Sequence, residues 1–179
     1  MVNIDEKQVK EIVERIVNEY KGNESVPQKG YTPTSFNGRK YVGIFSDMVE
    51  AIQAANKGYQ AIRNMTVEQR EKIITEIRKL TREEAQTLAE IGVSETHMGR
   101  VEHKHLKHIL VADKTPGTED IVSNAKTGDN GLTLIEMAPF GVVGSITPST
   151  NPSETIICNS IGMIAAGNGV VFNPHPNAV

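Results

Sequence analysis

At 179 residues, 38% of them apolar, the chain has the size of one domain, or one domain plus a tail, with enough apolar content for a core. Nineteen Lys and Arg against 22 Asp and Glu give a net charge of −3, which offers no positive field for a polyanion and argues against nucleic acid as a partner. No uninterrupted apolar run reaches membrane-spanning length, the N-terminus lacks the basic-then-apolar order of a secretory signal, and a single cysteine makes no internal disulfide.

Residues 1–20 place Val9, Ile12, Val13, Ile16, Val17 and Tyr20 at three- and four-residue steps, the pattern of a short amphipathic helix. Residues 21–40 are rich in Gly, Pro, Ser and Asn, show no period and read as a flexible linker. A helix tethered in this way has two possible uses for its apolar stripe: another protein, or its own domain and symmetry mates. Three helices are expected next. The first carries Met48, Ala51, Ile52, Ala55, Tyr59 and Ile62 on one face. Thr66 with Gln69, and Thr81 with Glu84, each have the spacing of a capping box and mark the starts of the other two; Gly99 is placed to end the last in a left-handed conformation. His103, His105 and His108 follow in a helical segment, where their spacing does not converge three ligands, so a solvated face is expected and a metal site is not.

Asp129–Gly131 then marks a hairpin turn, and the two β-rich runs Leu132–Pro139 and Gly141–Pro148 are separated only by Phe140. From Gly141 the order is strand, short loop, helix, strand: a βαβ unit, hence an α/β fold with a parallel sheet covered by helices. Ligands gather beyond the carboxyl ends of such strands, where helix N-termini point free amides. Thr147, Pro148, Ser149, Thr150 and Asn151 fall there. Asn151 precedes Pro152 and stands three before Glu154, so it fits a plain helix cap; its amide NH2 would alternatively suit an oxyanion. Cys158 lies inside a helix apolar nearly all round and is expected to be a buried small hydrophobe rather than a nucleophile.

The run Ala138–Ala178 resembles the N-terminal part of the CoA-acylating aldehyde dehydrogenases of bacterial microcompartments, within the aldehyde dehydrogenase superfamily. The Ala-rich helix and the Arg-bearing one after it, the segment Ser94–His108, and the runs around Thr115–Ile121 and Thr127–Gly131 resemble the same family. The N-terminal helix and linker are similar to the encapsulation peptides that carry such enzymes into a shell. The resemblance implies that residues 41–179 are an incomplete Rossmann-like NAD-binding domain, with an arm at about 127–140 that pairs between subunits of a homo-oligomer. The implied reaction takes an aldehyde, NAD⁺ and coenzyme A to acyl-CoA and NADH. The implied location is the lumen of a microcompartment in the cytoplasm, reached by docking of residues 1–20 on a shell protein. Asn151 falls on the family's oxyanion asparagine, and Ile146, Thr147, Pro148, Ser149 and Thr150 on the segment along the nicotinamide side. Asn173, Pro174 and His175 fall on the strand end that contacts the adenosine ribose.

Two departures follow. The Lys and Glu that many members direct at the ribose hydroxyls are replaced by the Asn173–Pro176 stretch, which leaves NAD and NADP both open. The family's nucleophilic cysteine and catalytic domain are expected downstream of Val179, which would leave an open sheet edge needing a cover and make this chain alone poorly folded and inactive. The competing reading is a catalytically silent targeting module.

Overall fold

The run around Met48 becomes a helix because a side chain satisfies its first free amides: Asp47 Oδ1 accepts from the Val49 and Glu50 N–H groups at 2.9 and 3.1 Å. In the computed structural model of the chain, residues 42–178 are described together with a strand pair, β1 (Ser35–Phe36) and β2 (Arg39–Lys40). The 1–20 helix and most of the 21–40 linker lie outside the described residues; the antiparallel β1–β2 pair falls at the linker's end. Helix α1 (Met48–Ile62) lies against the sheet through Ala51, Ala55, Tyr59 and Ile62, which are half-buried. Met48 and Ile52 of the same stripe are 49% and 47% exposed, so only part of it is covered.

Helix α2 (Val67–Glu83) opens with the expected capping box: Thr66 Oγ1 accepts from the Gln69 N–H and Gln69 Oε1 from the Thr66 N–H, at 3.2 and 2.9 Å. The second box does not form. Thr81 is buried inside α2 and its hydroxyl donates to the Ile77 carbonyl at 2.7 Å, so the next helix, α3 (Ala85–Thr96), begins after Glu84 with no side-chain cap. It ends two residues earlier than Gly99 suggests, with His97 in the left-handed conformation (φ 55°), and Gly99 takes a second positive φ of 82°. Helix α4 (Val101–Lys114) packs on α2 and α3. Its last turn is closed by Arg78, which donates to the Ala112 and Thr115 carbonyls at 2.8 Å each. Glu119, in the short 3₁₀ turn that follows, is held below the ordinary carboxylate value by its own backbone N–H first, then by the Gly117 N–H and by Arg78.

The two β-rich runs that adjoin in sequence part company in space. Strand β4 (Gly131–Ile135) pairs antiparallel with β3 (Asn124–Gly128) through a two-residue turn at Asp129–Asn130, and every residue of this ribbon is exposed. Strand β5 (Val142–Ile146) pairs in parallel with β6 (Gly169–Asn173), joined by helix α5 (Pro152–Ala165): the expected βαβ unit. Asn168, 4% exposed, sets the start of β5, its Oδ1 accepting from the Phe140 and Gly141 N–H groups. Gly169 meets α1 so closely that a Cβ there would lie 2.8 Å from the Ala55 carbonyl oxygen.

The core gathers Ile74 of α2 with Ile161 and Ala165 of α5, and Ile77, Ile121, Ile157 and Ile164 pack around them. Helix α5 is not buried all round: only Pro152, Glu154, Ile161 and Ala165 are, and Cys158 is exposed. The elements against α5 are α2, α3, α4 and β6, which close over Ile161 and Ala165 and leave the Cys158 position open. Among the described residues no helix is long and apolar enough to cross a membrane.

Candidate functional site at the mouth of the parallel strands

The carboxyl ends of β5 and β6 lie side by side, with Ile146 opposite Asn173 in register and the Thr147 N–H bonded to the Asn173 carbonyl at 3.1 Å. Ile146 is 83% exposed, Pro148 and Thr150 are exposed and Ser149 is half-buried. Thr147 is 1% exposed, and its hydroxyl bonds nothing among the described residues. Asn173, Pro174 and His175 are exposed; the Asn177 N–H donates to His175 Nδ1 at 3.1 Å, which curls the chain just beyond β6. This is an open shelf across two strand ends, with no charged side chain among Asn173–Pro176.

Asn151 closes the shelf at the start of α5. Its backbone carbonyl accepts from the Thr155 N–H and hydroxyl at 3.1 and 2.7 Å, but its side chain makes no capping bond. The spacing that suggested a cap is therefore used by the backbone alone. Instead Asn151 Oδ1 accepts from Lys107 Nζ at 2.9 Å, and Nδ2 has only a long 3.4 Å contact with Thr150 Oγ1.

Below the loop is machinery that the sequence reading missed. Lys104 is 3% exposed and reaches up from α4 to donate to the Thr150 carbonyl at 2.9 Å, with Glu154 Oε1 at 3.4 Å. Glu154 sits in the first turn of α5, where the helix dipole favours its charge. The Lys104 stem runs past Gly99, where a Cβ would lie 3.6 Å from its Cε. One turn on, His108 is fully buried rather than solvated. Its Nδ1 is 2.7 Å from the Lys104 carbonyl, which can only accept, so Nδ1 carries the proton; Nε2 is 2.9 Å from Ser153 Oγ. Lys104, His108 and Ala112 are the inward residues of α4 at four-residue steps, a stripe invisible to a periodicity that counts only apolar residues. Among the described residues no group of three or more His, Cys, Asp or Glu is placed to hold a metal ion. Beside Asn151 a cleft of about 430 Å³ is walled by residues of Met98–Lys107 and by Thr150.

The sequence model described as "Aldehyde dehydrogenase family" matches residues 43–179. The chain is 54% identical over 136 residues to an acetaldehyde dehydrogenase (acetylating) of Bilophila wadsworthia, a match covering 76% of this chain and 28% of that protein. Among solved structures, the propionaldehyde dehydrogenase from the Clostridium phytofermentans fucose utilisation bacterial microcompartment is 63% identical with a TM-score of 0.75, covering 77% of this chain and 32% of that one. The Rhodopseudomonas palustris propionaldehyde dehydrogenase with bound propionyl-CoA is 48% identical with a TM-score of 0.72, covering 75% and 30%. The chain thus spans about a third of the length of these relatives.

Proposed function

The chain belongs to the aldehyde dehydrogenase family, and from that membership we propose that it supplies part of the cofactor shelf and the oxyanion donor of a CoA-acylating aldehyde dehydrogenase. The reaction is oxidation of an aldehyde, with acyl transfer to coenzyme A. The observation that carries the reading is the Asn151 amide, whose Oδ1 is taken by Lys107 Nζ while its NH2 has only the long 3.4 Å contact with Thr150 Oγ1 and so remains for a ligand. The acetylating activity in one relative's name and the propionyl-CoA bound to another support coenzyme A as the acyl acceptor.

In this reading the shelf Ile146–Thr150 holds the nicotinamide side of the dinucleotide and Asn173–His175 the adenosine side. The dinucleotide, when bound, supplies the hydride acceptor, as NAD⁺ or NADP⁺. When a thiolate adds to the aldehyde carbon, negative charge grows on the aldehyde oxygen, and the Asn151 N–H donates to it. Cys158, on the flank of α5 several residues from the loop, is not that thiolate; the nucleophile comes from outside these 179 residues.

The test is a chimaera in which residues 43–179 replace the matching third of the C. phytofermentans enzyme. It is expected to form NADH and acyl-CoA from propionaldehyde. A folded chimaera that binds nicotinamide dinucleotide yet forms no acyl-CoA would remove the reading. The exposed β3–β4 ribbon, with Leu132 and Leu134 69% and 59% exposed, supports pairing with a second copy, which light scattering of the chimaera reports. Residues 1–20 are read as the tether to a microcompartment shell: deleting them is expected to abolish shell association and leave nicotinamide affinity unchanged, whereas undiminished association would sink the tether. The silent-module alternative has no observation of its own among the described residues.

A further inference from the structure

We infer that Lys107 is a positioning residue for this reaction, its ammonium holding the Asn151 amide oxygen so that the NH2 end is the one offered to the cleft; the inference rests on the proposed function. An asparagine amide is nearly symmetric in shape, and a half-turn about its last bond exchanges donor for acceptor. For an oxyanion the two orientations are opposites, since NH2 stabilises the developing charge and the carbonyl oxygen repels it. Nothing in the loop backbone settles the choice, because the Asn151 side chain makes no bond to α5. Lys107 does settle it. An ammonium has three donors and no acceptor, so at 2.9 Å it tolerates only Oδ1. Nδ2 is thereby turned away from Lys107, towards Thr150 Oγ1 at 3.4 Å, a contact long enough to yield to a better acceptor.

The placement of Lys107 is itself built. Lys104 stands three residues earlier on the same face of α4, buried, and fixes the carbonyl of Thr150, the residue before Asn151. Consecutive residues of the loop are therefore gripped by two lysines of one helix, the inner one setting the height of the loop and the outer one the sense of the amide. Both line the cleft beside Asn151.

The test uses the chimaera described above with Lys107→Arg, Lys107→Met and Lys107→Glu. Arginine is also donor-only and is expected to retain most of kcat. Methionine frees the amide and is expected to lower kcat about tenfold, with KM for aldehyde and coenzyme A little changed. Glutamate is acceptor-only, selects the wrong orientation and is expected to lose more, about 10²-fold. In an Asn151→Ala background all three should be equivalent. Equal losses for Met and Glu, or losses that persist undiminished without Asn151, overturn the inference. A second readout needs no activity: in the same chimaera, the Asn151 side-chain NH2 resonances, identified by their loss in Asn151→Ala, should move on Lys107→Met and stay for Lys107→Arg. Resonances unmoved by Lys107→Met overturn the contact. A wild-type chimaera that folds but forms no acyl-CoA overturns the functional reading instead, with the resonance test still deciding the contact.

Discussion

Asn151→Ala in the chimaeric enzyme is expected to lower kcat by about 10²–10³-fold, the cost of removing one preorganised oxyanion donor. The loss should fall on kcat more than on KM, because the amide acts on charge that exists only as the transition state forms. The fold should be nearly untouched. The side chain contributes no cap, α5 keeps Pro152 at its first position, and the Asn151 carbonyl still accepts from Thr155. Asn151→Asp makes the sharper comparison: shape is kept, but a carboxylate faces the growing oxyanion, so the loss should be at least as large. Rates of NADH formation, read beside urea unfolding curves, separate these effects. An alanine variant with undiminished kcat would remove Asn151 from the oxyanion site.

Lys104→Met is expected to destabilise the chimaera by about 3–5 kcal/mol, because it strands the buried Glu154 carboxylate without its cation. Glu154 is 5% exposed and has no other cation among its described contacts. The same change frees the Thr150 carbonyl, so the loop should loosen and kcat fall beyond what the folded fraction explains. Lys104→Met combined with Glu154→Leu removes both charges and should recover much of the stability without recovering the loop. Urea unfolding of the four variants in a double-mutant cycle measures this. Strict additivity would mean that the pair is not coupled as the geometry requires.

Local signals carried the reading of this chain where the residues involved are neighbours. Thr66 and Gln69 are three apart and make their reciprocal bonds, and the βαβ unit follows from strand runs and a helix of adequate length. The same local grammar misled at Thr81, because a threonine whose hydroxyl bonds the carbonyl four residues back has nothing left for a cap. At Asn151 spacing allowed two uses of one amide, and a lysine 44 residues earlier in the chain decides between them. The burial of His108 and Lys104 is invisible to local spacing because their partners, Ser153, Thr150 and Glu154, are 45, 46 and 50 residues away. Apolar content around Cys158 predicts burial, whereas burial depends on which neighbours arrive, and Cys158 is exposed. Family resemblance supplied the rest of the site, since no pattern in the loop identifies a nicotinamide or a thioester.

The close approach of Gly169 to Ala55 has a consequence for how such chains recombine. Position 169 tolerates no side chain only because the α1 backbone passes over it, and α1 passes there only because position 169 has none. The two positions are joined as alleles of one locus are, although most of the domain separates them in sequence. A crossover in the turn between α1 and α2 would draw them from different parents, and any parent with a side chain at the start of β6 would lift the first helix from the sheet. Exchanges that keep α1 and β6 together avoid that fault, and one beginning at residue 43 does so.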